Sequence, residues 1–163
     1  LLDQYVYLKQ KKLYDSYGKY SSKGKININI LKQLLGDKYF KKNPPKSLDR
    51  NYFSFNSVRN LNFYDACATL SAFTAYSIIN DLKKIKSQNI IISGGGVKNR
   101  FILNLIKKNF DNKVISLHKI YGDAKFIESQ AFAFLGIRRI KNLPISFPGT
   151  TGVKNPVTGG IIT

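Results

Sequence analysis

Residues 89–99, Asn-Ile-Ile-Ile-Ser-Gly-Gly-Gly-Val-Lys-Asn, constrain the fold of this chain more than any other stretch. Ile90, Ile91 and Ile92 are apolar and β-branched, the pattern of a strand buried on both faces between helix layers of a parallel sheet. Ser93 ends the run and three glycines follow. Val97, Phe101 and Leu105 then recur at i, i+4 and i+8, with Ile102 and Ile106 one step round, so a helix is expected to begin near residues 97–99. The unit reads as strand, glycine turn, helix. Glycines let a ligand or another chain lie against the backbone, and the unpaired N–H groups of a helix start favour anions. The turn lacks the spacing of a dinucleotide fingerprint and the closing Lys-Ser/Thr of a P-loop. Taken alone, it serves a nucleotide site and an empty tight turn equally well.

Bulk properties narrow the choice. At 163 residues, 43% of them hydrophobic, the chain is one domain or a large part of one, with enough apolar surface for a core. No apolar run approaches a membrane span and the first residues lack a signal-peptide layout, so no membrane association is expected. Methionine is absent even from position 1, and the expectation is a fragment whose start lies upstream. The formal charge of +18 invites a nucleic-acid reading. Yet the lysines are scattered from Lys9 to Lys154 among many Asn and Ile residues, with no RNA-binding, zinc-finger or helix-turn-helix pattern. Nucleic-acid binding stays a minority alternative. One cysteine, Cys67, excludes an internal disulfide and, with the lone His118, a Cys/His zinc site. Cys67 is expected to pack as a small hydrophobe, and His118, after a strand, receives no role.

In chain order, residues 1–17 read as a helix stopped by Gly18, and residues 27–35 as a short helix stopped by Gly36. Residues 37–61 are irregular around Pro44-Pro45, with Tyr39, Phe40, Tyr52, Phe53 and Phe55 expected to pin the segment to the body of the protein. Residues 62–86 form the strongest helix, capped by Asn62 or Asp65 and buried on most sides between Ala66 and Ala75. Thr69, Ser71 and Thr74 can return hydrogen bonds to its backbone. Residues 113–117 give a second strand, parallel to the first because a helix joins them. Asp123 is the natural cap of a last helix, about residues 124–141, with Ile127, Ala131, Phe134 and Leu135 as its apolar ridge. The tail is expected to return to a short terminal strand.

Two features invite a functional reading. Glu128 is the single glutamate among nine acids. It suits the dipole of a helix N-terminus as a surface acid, or it is aimed into a cleft to accept hydrogen bonds from sugar hydroxyls; its neighbours Phe126, Ile127, Ala131 and Phe132 favour the second slightly. Lys46 and Arg50 belong either to a solvated charged loop, which the spacing favours, or to a cation pair presented to phosphate or sugar.

These segments, in this order, resemble the C-terminal part of the anhydro-N-acetylmuramic acid kinase family. Leu1-Leu2-Asp3 is similar to the residues following the family's Asp-Thr-Gly-Pro-Gly-Asn phosphate loop. Pro44-Pro45-Lys46-Ser47-Leu48-Asp49-Arg50-Asn51-Tyr52-Phe53 resembles its Pro-Pro-Lys-Ser-Thr-Gly-Arg-Glu-aromatic-Phe segment, and the run from Asp65 through Ala75 its Asp-…-Ala-Thr-Leu-Thr-…-Thr-Ala helix. Ser93-Gly94-Gly95-Gly96-Val97-Lys98-Asn99 resembles its Cys-Gly-Gly-Gly-…-Asn turn. Asp123 through Ala133 resembles its Asp-…-Glu-Ala-…-Ala-Phe-Ala helix start. Thr150-Thr151-Gly152 and Gly159-Gly160-Ile161-Ile162 resemble its tail.

The resemblance implies an α/β fold: the C-terminal lobe of an actin-like, sugar-kinase ATPase, with a partial, mostly parallel sheet and packed helices. Residues 1–163 would be an incomplete lobe, with residues 37–61 an irregular segment within it. It further implies a cytoplasmic enzyme of cell-wall recycling that uses ATP, Mg2+ and water to open and phosphorylate 1,6-anhydro-N-acetylmuramic acid, homodimeric at full length. Gly94, Gly95, Gly96 and Asn99 would then meet the nucleotide. Glu128, with Lys46 and Arg50 as lesser candidates, would meet the sugar. Leu48-Asp49 and Asn51 depart from the family's Thr-Gly and Glu. The family's phosphate loop and its catalytic Asp would lie upstream of Leu1. This chain alone is therefore expected to be inactive and, with strands missing, poorly soluble.

Overall fold

The computed structural model describes residues 1–49, 51–85, 89–110, 113–121 and 126–161. Its axis is helix α3 (Phe63–Leu82), and its N-cap is Asn62, whose side chain accepts from the Asp65 N–H at 2.9 Å. Ten residues from Ala66 to Ile79 are buried, mostly alanines, hydroxyls and Cys67. Small side chains on every side let neighbouring elements approach closely. Helix α1 (Leu2–Gln10) sets Leu2, Tyr5 and Val6 on Ala66, Cys67 and Leu70. Helix α2 (Ile28–Leu35) sets Leu31 and Leu34 on Ala72 and Phe73. Helix α4 (Arg100–Asn109) contributes Ile106 to a third cluster with Ala75, Ile79 and Val114. Thr69 and Thr74 do bond back to carbonyls one turn earlier, whereas the Ser71 hydroxyl reaches Ser21 at 2.7 Å.

Helix α1 ends at Gln10 rather than near Tyr17, with Lys11 left-handed at φ 54°. The cause lies further on, at Asp15, which is buried. Its carboxylate accepts from the backbone N–H groups of Tyr20 and Ser21 and from the Ser21 hydroxyl, at 2.6 to 3.0 Å. An aspartate bonded in this way competes with helix continuation. Residues 37–61 carry short 3-10 turns, Lys38–Lys41 and Phe55–Val58. Phe40 and Phe53 meet the Phe73 ring edge-on at 5.9 and 5.0 Å.

Strands β1 (Ile90–Ile92) and β2 (Val114–Ser116) form a parallel two-stranded sheet. Helix α5 (His118–Tyr121), which the periodicity did not announce, follows β2 directly. Helix α6 (Ile127–Ile140) comes next; the expected Asp123 cap lies outside the described residues. The tail holds helix α7 (Pro148–Thr151) and a single antiparallel bridge, Ser146 to Val157. The expected terminal strand is not seen: Ile161 has no strand geometry, and Ile162 lies outside the described residues.

Two expectations about burial fail together. Ile91, read as part of a strand covered on both faces, is 54% exposed, since α3 and α4 cover one face only. The apolar ridge of α6 finds little cover among the described residues: no residue of that helix is buried, Ile127 and Leu135 are half-buried, and Phe134, with Phe132, Ile137 and Ile140, stands in solvent. A parallel sheet ordinarily has both faces covered, and an apolar patch of this kind drives association. The isolated chain is therefore expected to self-associate, and Phe132→Lys with Ile140→Lys to shift it toward monomer in light scattering. An equally monodisperse parent chain would contradict this.

Candidate functional site

The parallel register pairs Ile90 with Val114, Ile91 with Ile115 and Ile92 with Ser116, so both strands finish on the same side. In open α/β sheets the crevice outside the carboxyl ends of the strands is where ligands bind. Here that crevice is built by the glycine turn. Gly94 sits at φ 89°, a conformation that a side chain tolerates poorly. A 3-10 turn (Gly95–Lys98) carries the chain into α4, closing with the Asn99 N–H on the Gly96 carbonyl at 3.0 Å. Gly95 and Gly96 have no such backbone need, and a Cβ on either would meet no atom within 4 Å. Neither conformation nor packing calls for glycine at these two positions.

A cavity of about 510 Å³ opens at this point. Ile92, Ser93, Gly94, Gly95, Val97 and Lys98 form one wall; Ser116, His118, Ile127 and Glu128 form the other. The glycine turn and the lone glutamate, more than thirty positions apart in sequence, thus border one crevice. Glu128 lies in the first turn of α6 and is exposed. Among the described residues it has no hydrogen bond or ion pair, in a chain with 27 Lys and Arg. A second cavity, about 430 Å³, lies between the loop at residues 17–22 and the start of α4, where the Arg100 guanidinium lies over the Tyr17 ring at 5.8 Å.

The other sequence candidates have different places. Asn99 is buried and caps α4, its Oδ1 accepting from the N–H groups of Phe101 and Ile102 at 3.1 and 3.2 Å. Neither Asn99 nor Gly96 lines the cavity. Lys46 is drawn into the body of the protein: its ammonium pairs with Asp81 of α3 at 2.8 Å and lies over the Tyr39 ring at 4.8 Å. Arg50 lies outside the described residues. Sequence reasoning missed Lys98, Ser116 and His118. The position of His118 just past the end of a parallel strand was the available signal. Cys67 is buried, and burial, with the Asp15 charge adding, pushes its thiol up to about 12, so it is inert. Among the described residues no cluster of three His, Cys, Asp or Glu could hold a metal ion, and no helix is long and apolar enough to cross a membrane.

Fold and crevice define an α/β protein with an open cavity at the carboxyl ends of two parallel strands. Comparison with known proteins is more specific. The model of the family described as anhydro-N-acetylmuramic acid kinase matches residues 1–163. Curated proteins of that name are similar to this chain: 37% identical in Zymomonas mobilis, over 99% of the chain and 45% of the relative. In Methylorubrum populi the identity is 37% over 91% of the chain and 40% of the relative. In Rhodospirillum rubrum it is 36% over 98% and 43%. The chain belongs to the anhydro-N-acetylmuramic acid kinase family. It spans less than half the length of these relatives.

The Lys46–Asp81 pair gives a test of its structural role. Burial by itself would raise the Asp81 carboxyl, but hydrogen bonds and charge from Lys46 and Lys84 hold it below the usual carboxylate range. A carboxyl lowered on folding contributes stability above its unfolded value, about 3.9, and loses it as the pH falls through the folded value. Asp81→Asn is expected to lower the urea midpoint near neutrality and to flatten its fall below about pH 4. An acid limb unchanged from the parent would remove Asp81 from the account.

Proposed function

We propose that this chain is the C-terminal lobe of a two-lobed kinase of the actin-like, sugar-kinase ATPase superfamily. Residues 1–163 form an incomplete lobe that includes the irregular segment 37–61, and the N-terminal lobe precedes it. The whole polypeptide opens the anhydro bridge of 1,6-anhydro-N-acetylmuramic acid with water and phosphorylates the sugar from ATP. The product is N-acetylmuramic acid 6-phosphate, in cell-wall recycling. Its place is the cytoplasm, where ATP is supplied, and its full-length form is a homodimer. The observation that carries this reading is the shared crevice: a glycine corner with room in front of it, bordering the same cavity as a carboxylate that has no partner among the described residues.

The residues present suit the ligands. Phosphoryl transfer needs positioning and charge neutralisation more than covalent help from the protein. Without side chains at Gly94 and Gly95 a nucleotide can lie against the backbone, and Lys98 brings a positive charge to the same wall. The Tyr17 ring and Arg100 in the second cavity are groups on which a planar base stacks. Magnesium, which keeps several waters and leans on substrate phosphates, does not call for an all-protein cage. Bound there, it would neutralise phosphate charge. The Glu128 carboxylate accepts hydrogen bonds and so selects hydroxyls over anions. The general base, an aspartate by family resemblance, belongs to the residues before Leu1.

In the full-length protein, Glu128→Gln is expected to lower kcat/KM for the anhydro sugar roughly 10- to 150-fold, the range for a hydrogen bond to a charged group. Gly95→Val, with space in the free protein, is expected to raise KM for ATP while leaving the thermal midpoint within a few degrees. Unchanged kinetics in both variants would remove the crevice from the reaction.

A further inference from the structure

We propose that His118 is a ligand-contacting residue of this crevice, forming with Lys98 a cationic side that receives an anionic group of a substrate. The inference rests on reading the crevice as the substrate site. His118 is the chain's one histidine. Its backbone is well held: the Leu117 N–H donates to the Ile92 carbonyl at 2.9 Å, extending the sheet ladder to the residue before it. The Ile120 N–H donates to the Leu117 carbonyl, also at 2.9 Å, and starts α5. The imidazole therefore leaves from a rigid strand end into the cavity.

That imidazole is exposed and, among the described residues, has no hydrogen bond, ion pair or ring contact. A histidine serving the fold would be tied to a carbonyl or packed in a core. Among the described residues, the side chains lining the cavity that carry or can acquire charge are Lys98, His118 and Glu128. Glu128 repels an anion and takes hydroxyls. Lys98 and His118 remain for anionic oxygens, and they come from the two strand ends, one on each wall. An imidazole donates a hydrogen bond when neutral and adds a positive charge when protonated, so it serves an anion in either state. The shared ligand chemistry is an anionic oxygen, on the nucleotide phosphates or on the carboxylate of the sugar acid.

The test is steady-state kinetics of the full-length protein, with His118→Leu and His118→Gln beside Glu128→Gln. His118→Leu is expected to raise one KM about five- to tenfold, the loss of one hydrogen bond, with kcat within about twofold. His118→Gln, which keeps a donor, is expected to recover part of that loss. A rise in KM for ATP assigns the anion to the nucleotide; a rise for the anhydro sugar assigns it to the carboxylate. A second readout needs no altered fold: the imidazole proton signal that is missing in His118→Gln should shift when ATP or the sugar is added to the parent protein. If both KM values stay within twofold and that signal does not move while Glu128→Gln is impaired, the role of His118 is overturned and the crevice reading stands. If Glu128→Gln is also unimpaired, both fall.

Discussion

The structure depends on a helix that is buried nearly all round. Between Ala66 and Ala75 the side chains of α3 are small enough that α1, α2 and the loop around Ser21 can all close on it. The tolerance is narrow. A Cβ at Gly24 would stand 2.0 Å from the Tyr64 carbonyl oxygen, so the loop touches the start of α3 backbone to backbone. Close approach brings polar atoms inside, and they must be satisfied there. The buried Ser21 hydroxyl meets Asp15, Ser71 and the Cys67 carbonyl, while Thr69 accepts from the Asn27 N–H. Small residues and hydroxyls on α3 are one device: without the hydroxyls, the closeness would strand donors.

That packing decides which wall of the crevice is rigid. Helix α4 shares the third apolar cluster with α3 and the sheet, and its cap Asn99 is backed by Gly18, where a Cβ would lie 2.5 Å from the Asn99 side-chain oxygen. The glycine turn, held between β1 and this capped helix, is thus tied to the core at both ends. On the other wall the strand end at Ser116 and His118 is held by the sheet, but the Glu128 part is different. Helix α6 has no buried residue, and its apolar side faces outward. The two halves of one crevice differ in how firmly the described residues hold them.

Much of this was legible in the sequence, for local reasons. The strand–glycine–helix unit, the α2 cap at Asn27 and the parallel pairing follow from periodicity, capping chemistry and the handedness of a crossover. So did the pairing of Gly95 with Glu128 in one crevice, although only through a family resemblance, since nothing in the spacing joins residues more than thirty apart. What failed was non-local. The end of α1 is decided by a carboxylate five residues beyond it that captures the backbone at Tyr20 and Ser21. The ridge of α6 has helical periodicity, but periodicity identifies a face without saying what covers it. Lys46 looked available because its partner, Asp81, lies 35 residues away.

The charge balance makes the isolation of Glu128 informative. Most described acids elsewhere are engaged, Asp15, Asp49 and Asp65 with backbone N–H groups, Asp37 with Tyr52 and Asp81 with two lysines; Asp3 alone shares with Glu128 the lack of a hydrogen bond or ion pair among the described residues. With cations outnumbering acids by 27 to 9, an exposed carboxylate would readily find a lysine if one were within reach. Glu128 lies beside Ile127 and Phe126 on a helix whose basic residues, Arg138 and Arg139, are at the far end and bond to the Pro144 and Gly160 carbonyls. Among the described residues its carboxylate is left to solvent and to the crevice it borders. On the proposed reading, a carboxylate with no partner among the described residues, bordering the same crevice as a turn with room in front of it, suits a ligand offering hydroxyl groups better than one offering another negative charge.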